Sequence, residues 1–202
     1  MRYYIADCHF FHEALNREMD HRGFASVEEM NEYMIKRWNE KVRNRDEVVI
    51  LGDLSMGNAE QTNDLLDRLQ GKLFLIVGNH DNRYLRSKTF HKERFGWIYP
   101  YAELHDDGRK VVLSHYPIAC YNGQYLKNKK GEPRTYMLYG HVHDSHDERL
   151  IEQYQQMVEK TRIPDRDGGT QSLSSHMINC FCMYSDYQPL SLDEWIALTK
   201  QR

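Results

Sequence analysis

The stretch LFLIVGNHD, residues 73–81, decides how this chain is to be read. Five apolar residues in a row have the length and composition of a strand buried on both faces. A glycine then breaks the run, and Asn79, His80 and Asp81 follow at once. Such a strand presents an amide, an imidazole and a carboxylate at its carboxyl end, where α/β sheets place their ligands. Taken alone, GNHD is also an ordinary turn, because Asn and Asp favour turns. The reading therefore depends on whether the pattern recurs.

It recurs four times. YYIA (3–6) is followed by Asp7 and His9, and VVIL (48–51) by Gly52 and Asp53. VVLS (111–114) is followed by His115, and YMLY (136–139) by Gly140, His141 and His143. MINCFCMY (177–184) reads as a further strand. Helical patterns lie between the runs. Over 26–43, Ser26 and Glu29 make a capping box, and Val27, Met30, Met34, Trp38 and Val42 share one face. A second helix over 59–70 turns Leu65, Leu66 and Leu69 inward and stops at Gly71. Strands alternating with helices predict an α/β layered fold. The 202 residues suit one domain over 1–202. Within it, 144–176 reads as an excursion beside the strand-end residues: a polar helix over about 147–160, then a Pro/Gly/Ser-rich loop.

The formal net charge of −3 argues against an extended nucleic-acid-binding surface, which needs a basic face. No apolar run approaches the ~18–20 residues of a membrane helix, and MRYYIADCHF has no apolar leader core, so the expected location is the cytoplasm. Cys8, Cys120, Cys180 and Cys182 match no disulfide framework or zinc-ribbon spacing. Nothing in the sequence speaks to oligomeric state. The strand-end inventory holds at least three imidazoles, two carboxylates and an amide oxygen. Those nitrogen and oxygen donors suit manganese, iron, zinc or nickel rather than a structural Cys-zinc site. They are too many for one ion, whereas two ions ~3.5–4 Å apart are the arrangement of phosphatases and nucleases.

The order DxH, GD, GNHD, a lone His after an apolar strand, and GHxH resembles the calcineurin-like metallophosphoesterase superfamily. The motifs run from Asp7 to His143, about two-thirds of the chain. More narrowly, DCHFFH, GDLSMG and INCFCMYSDYQPLSLDEW resemble a group of small bacterial and phage-type phosphoesterases. The resemblance implies two mixed β-sheets packed as a sandwich and flanked by helices. It implies two divalent ions, manganese first and iron, zinc or nickel as alternatives. Asp7, His9 and His143 would hold one, Asn79, His115 and His141 the other, and Asp53 would bridge them. His80 would protonate the leaving oxygen with Asp81 orienting its ring, while a hydroxide bridging the ions attacks phosphorus in line.

The substrate so implied is a phosphate ester. GDLSMG lacks the second Asp and the Arg that many relatives carry at this motif, and the Arg serves protein phosphatases. That favours phosphodiesters, nucleotide or nucleic-acid-derived, over a small monoester; a non-catalytic binding module on the same fold is the competing class. The intact ligand set and His80 speak against that module. His12 and Arg83 are candidate substrate contacts, each with a plain surface role as its alternative. The basic stretch 80–95 and the Lys/Tyr-rich stretch 121–136 read more simply as solvated surface, the latter as a hairpin.

Overall fold

The computed structural model describes residues 1–165 and 168–202; positions 166 and 167 of the predicted excursion lie outside the described residues. Two four-stranded sheets make the frame. The first runs β1 (Arg2–Ile5), β2 (Glu47–Ile50), β3 (Lys72–Ile76) and β4 (Phe95–Tyr99), all parallel. The second runs β10 (Met177–Asn179), β7 (Thr135–Tyr139), β6 (Arg109–Ser114) and β5 (Tyr101–Asp106). Only β5 is antiparallel, paired with β6. The expected sandwich flanked by helices forms, with the mixing of strand directions confined to this second sheet.

Alternation along each strand divides the core. One face of the first sheet (Tyr4, Val49, Leu51, Ile76) packs on one face of the second (Val111, Leu113, Leu138, Ile178). Its other face, with Ile5, Val48, Ile50, Leu73 and Leu75, is covered by α1 (Val27–Lys41) and α2 (Ala59–Arg68). Met30, Met34, Trp38 and Val42 are buried there, as the helical spacing predicts. The cap of α1 differs in one detail: Ser26 accepts from the Glu29 N–H, but the Glu29 carboxylate reaches back to the Ala25 N–H rather than to that of Ser26. Asn58 and Gln61 close a full capping box on α2. The outer face of the second sheet, with Val112, Met137 and Tyr139, carries Ile151 and Tyr154 of α4 (His146–Lys160). The excursion then continues into a hairpin of β8 (Arg162–Pro164) and β9 (Thr170–Ser172). A short α3 (Asn82–Leu85) follows the GNHD turn, and α5 (Leu192–Thr199) ends the chain.

The run MINCFCMY is not one strand. After β10 the chain leaves the second sheet: the Cys180 N–H donates to Tyr139, the Cys180 carbonyl accepts from the Ala6 N–H, and Phe181 bridges Ala6. A 3-10 turn over Cys182–Ser185 follows. The segment thus stitches the two sheets together at the end where β1 and β7 finish. No helix among the described residues is long and apolar enough to cross a membrane.

Candidate metal centre

Every strand-end residue singled out above lies just beyond its strand, and the sandwich brings the ends of both sheets together. Asp7 and His9 follow β1, Asp53 follows β2, and Asn79 and His80 follow β3, all from the first sheet; His115 follows β6, and His141 and His143 follow β7, from the second. Two groups result, Asp7/His9/His143 and Asp53/His115/His141, in each of which one donor atom per residue lies within 4.8 Å of the others. Each group draws on both sheets, so neither exists until the sandwich closes.

The backbone is bent to make this possible. Asp7, His9, Asp53, His141 and His143 all have positive φ, between 47° and 72°. Non-glycine residues pay ~1–2 kcal/mol for that conformation, and such outliers collect where a site over-determines them. Two glycines make room beside the carboxylates. A Cβ on Gly78 would stand 2.2 Å from Asp53 Oδ1, and one on Gly140 would stand 2.6 Å from Asp7 Oδ2.

Asp53 sits between the groups. Its Oδ2 is 3.5 Å from His9 Nε2 and 3.4 Å from His115 Nε2, and its Oδ1 accepts from the His80 N–H at 2.9 Å. Asn79 Oδ1 meets His115 Nε2 at 2.9 Å and His141 Nδ1 at 3.0 Å. Both Asp7 oxygens accept from the His141 N–H, at 2.9 and 3.0 Å. His9 Nε2 and His143 Nε2 face one another at 3.3 Å, and a hydrogen bond between them would require one ring to donate. Two ligands each ~2.1 Å from one tetrahedral ion would lie roughly 3.4 Å apart, so that spacing fits a shared cation. The donor set, imidazole with carboxylate and amide oxygen and no thiolate, fits a divalent first-row ion.

The charges tell the same story. Burial raises Asp7 to about 6 despite the opposing charges of His143 and His115. Burial would also raise Asp53, but the hydrogen bond from His115 and the charges of His115 and His9 outweigh it and hold Asp53 at about 2. Burial works against protonation of His115, yet Asp53 and Asp7 raise it to about 9. His9 is pushed well below the usual imidazole range by burial, which Asp53 only partly offsets. Protons on imidazoles therefore balance the buried carboxylates where a cation would otherwise do so.

A cleft of about 410 Å³ opens over the centre, lined by His9, His12, Asp53, Asn79, His80, His141 and His143 and, from the start of the excursion, by Asp144, Ser145 and Asp147. The His80 side chain is 42% exposed there, its Nε2 3.9 Å from Asp53 Oδ2. His12 lines the cleft edge-on to His9, with its Nδ1 accepting from the Leu15 N–H. Arg83, on α3, is not among the described residues that line the cleft. Asp81 also departs from expectation. Its oxygens accept from the N–H groups of Asp53, Leu54 and Gly78 and from the Tyr84 hydroxyl, and it has no hydrogen bond to the His80 ring among the described residues. Fully buried, it braces the Asp53 turn against the Gly78 turn instead. A separate cavity of about 480 Å³ lies between α4, β10 and α5, away from these residues.

Three neighbours of the centre carry no sequence signal of their own. Tyr116, 48% exposed, stands edge-on to His141 at 4.5 Å between ring centroids. Asp20 Oδ1 accepts from His143 Nδ1 at 2.8 Å, and buried Arg22 donates to Asp20 and to the carbonyls of Asp7 and Cys8.

Known proteins resemble this chain in sequence and, in one solved structure, in fold. A family model described as calcineurin-like phosphoesterase matches residues 3–186. An uncharacterized protein of Methanocaldococcus jannaschii, MJ1445, is 31% identical over 201 residues, covering 98% of this chain and 91% of its own. The gene 66 protein of Mycobacterium phage L5 is 27% identical over 167 residues, covering 70% of this chain and 76% of its own. The crystal structure of AQ665 from Aquifex aeolicus, a protein of unknown function, superposes with a TM-score of 0.67 over 98% of each chain at 23% identity, a likeness of fold.

Proposed function

The chain belongs to the calcineurin-like phosphoesterase family, and on that premise we propose that it is a dinuclear-metal phosphoesterase acting on phosphodiesters, nucleotide-derived diesters among them. The observation that carries the reading is the convergence of Asp7/His9/His143 and Asp53/His115/His141 beneath one cleft, with Asp53 reaching donors of both groups. Asp7, His9 and His143 would hold one divalent ion, Asn79, His115 and His141 the second, and Asp53 both; manganese is the first choice. Two such ions, when bound, activate water and neutralise charge developing at phosphorus.

The chain's own residues supply the rest. His80 projects from the turn after β3 into the cleft, where its ring can deliver a proton to the leaving oxygen. Its N–H holds Asp53 Oδ1, so the acid and the shared carboxylate are set by one turn. Asp81, by fixing the N–H groups of Asp53 and Gly78, keeps that turn in register with the end of β2. Among the described residues, no Lys or Arg lines the cleft. A diester carries one negative charge where a monoester carries nearly two, so a cleft whose described lining holds no cationic side chain supports the diester reading.

The test is hydrolysis of bis(p-nitrophenyl) phosphate beside p-nitrophenyl phosphate, using metal-stripped protein with and without Mn²⁺. Turnover should require Mn²⁺, favour the diester, and fall by on the order of 10²–10³-fold or more in Asp53→Asn, the scale of losing one preorganised electrostatic contact. Full activity in Asp53→Asn would overturn the reading.

A further inference from the structure

Resting on that reading of the two metal groups, we propose that Asp20, seated on Arg22, is a positioning residue for the Asp7/His9/His143 group alone. The segment after the DCHFFH motif makes a π-helical turn over Leu15–Met19, and Asp20 closes it with its N–H on the Leu15 carbonyl. Its carboxylate then accepts on both oxygens: Oδ1 from His143 Nδ1 at 2.8 Å, and Oδ2 from Arg22 Nε and Nη2 at 3.1 and 2.9 Å. Arg22 also donates to the carbonyls of Cys8, at 2.7 Å, and Asp7, at 3.1 Å, and to the Met34 sulfur at 3.9 Å. One guanidinium thus ties the backbone that presents Asp7 and His9 to the carboxylate that orients His143, across more than 120 residues of sequence.

Burial makes a merely stabilising role a poor explanation. The side chains of Arg22 and Asp20 are 0% and 8% exposed, and a buried ion pair often stabilises no better than apolar residues of the same volume. What it supplies is direction. A carboxylate on the outer nitrogen of a ligating imidazole fixes the tautomer and ring plane, leaves Nε2 free toward the ion, and raises ligand basicity. Asn179 and Tyr184 hold the His143 carbonyl but not its ring. In the other group the outer nitrogen of His115 hydrogen-bonds the Leu51 carbonyl at 2.8 Å, and its nearest carboxylate oxygen, Asp7 Oδ1, stands 3.9 Å away, beyond hydrogen-bond reach. The two sites should therefore differ, with the Asp20-backed one holding its ion more tightly.

Calorimetric titration of the metal-free protein with Mn²⁺ tests this without reference to activity. In Asp20→Asn one of the two oxygens becomes an NH2 donor, so either His143 Nδ1 or Arg22 loses its acceptor. The tighter of two binding steps should weaken about 10–100-fold, the scale of losing such an outer partner, while the weaker step is unchanged. Arg22→Lys, which keeps the charge but loses the fork, should weaken the same step. Thermal melting of the metal-free variants checks that each is folded, and the Arg22 variant carries the test if Asp20→Asn is not. Two steps weakened equally, or neither weakened, would overturn the proposal while leaving the metal centre in place. A wild-type protein that takes up no ion would sink both.

Discussion

Behind the ring of His115 stands the Leu51 carbonyl at 2.8 Å; behind the ring of His143 stands the Asp20 carboxylate at the same distance, held in turn by Arg22. Both imidazoles serve groups of similar composition, at the carboxyl ends of neighbouring strands of one sheet. The first is aimed by main chain that any closed sandwich of these strands would supply. The second is aimed by a segment outside the sheets. The difference teaches that one half of the centre comes with the fold, whereas the other can be tuned through residues that leave the strands alone.

His80 offers the largest effect against which to set the two halves. Its N–H holds Asp53 Oδ1, yet the role proposed for it is proton delivery rather than metal binding. His80→Asn should lower turnover of diesters with alkyl leaving groups about 10²–10⁴-fold and leave Mn²⁺ binding in both halves intact. A nitrophenyl ester, whose leaving phenolate needs little protonation, should be spared most of that loss. Equal losses on both substrate types would mean that His80 is not the acid.

A smaller effect separates the halves directly. Gly78→Ala sets a Cβ 2.2 Å from Asp53 Oδ1, and Gly140→Ala sets one 2.6 Å from Asp7 Oδ2 and from the Ala6 Cβ. Each should cost about 1–3 kcal/mol of stability, the usual scale of overpacking, readable by denaturant unfolding. Their effects on Mn²⁺ titration should differ: Gly78→Ala weakens both steps because Asp53 is shared, and Gly140→Ala weakens only the step assigned to Asp7. A Gly78→Ala protein with one step intact would remove Asp53 from its bridging place.

The same division explains what was legible in the sequence. β1, β2, β3, β6 and β7 announce themselves because their inward residues are apolar on both faces, and a chemically active residue follows each. β4 and β5 were not foreseen. As sheet-edge strands they carry Gly96, Glu103 and His105 among partly exposed neighbours, so neither makes an apolar run. MINCFCMY looks like one strand because crossing between two sheets buries its residues as thoroughly as pairing within one. Asp20 closes a π-turn and Arg22 lies in the irregular chain after it, with no period to read, and their value depends on His143, which only folding brings near. The positive φ angles at five strand-end residues are equally silent, since Asp and His tolerate that conformation without requiring it. The partners of Asp81 were hidden for a related reason: a carboxylate beside His80 in sequence accepts from four donors that the turns around it bring near.

The smallest effect concerns protons, and it tests the half that rests on backbone. His115 is raised from 6.5 to about 9 in the metal-free protein, by Asp53 and Asp7 against the pull of burial. A raised imidazole contributes stability that is fully present below its ordinary 6.5 and lost as pH rises through about 9. Metal-free protein should therefore melt at lower temperature as pH climbs through that window. Metal-loaded protein should be less sensitive there, because a ligating imidazole is already neutral. For the same reason Mn²⁺ uptake at about pH 7 must expel the His115 proton, so the Asp53/His115/His141 step should release about one proton, falling toward none near pH 10. Calorimetry in buffers of different ionisation enthalpy reads that number step by step. His9, driven to the neutral form by burial, has no proton to give, so release from the other half comes from His143, which Asp20 and Asp7 raise against burial, and from the minor fraction of Asp7, raised to about 6, that is still protonated near pH 7. Asp20→Asn should then reduce proton release in that step alone, and a loss from the His115 step instead would show that the two halves do not stand apart.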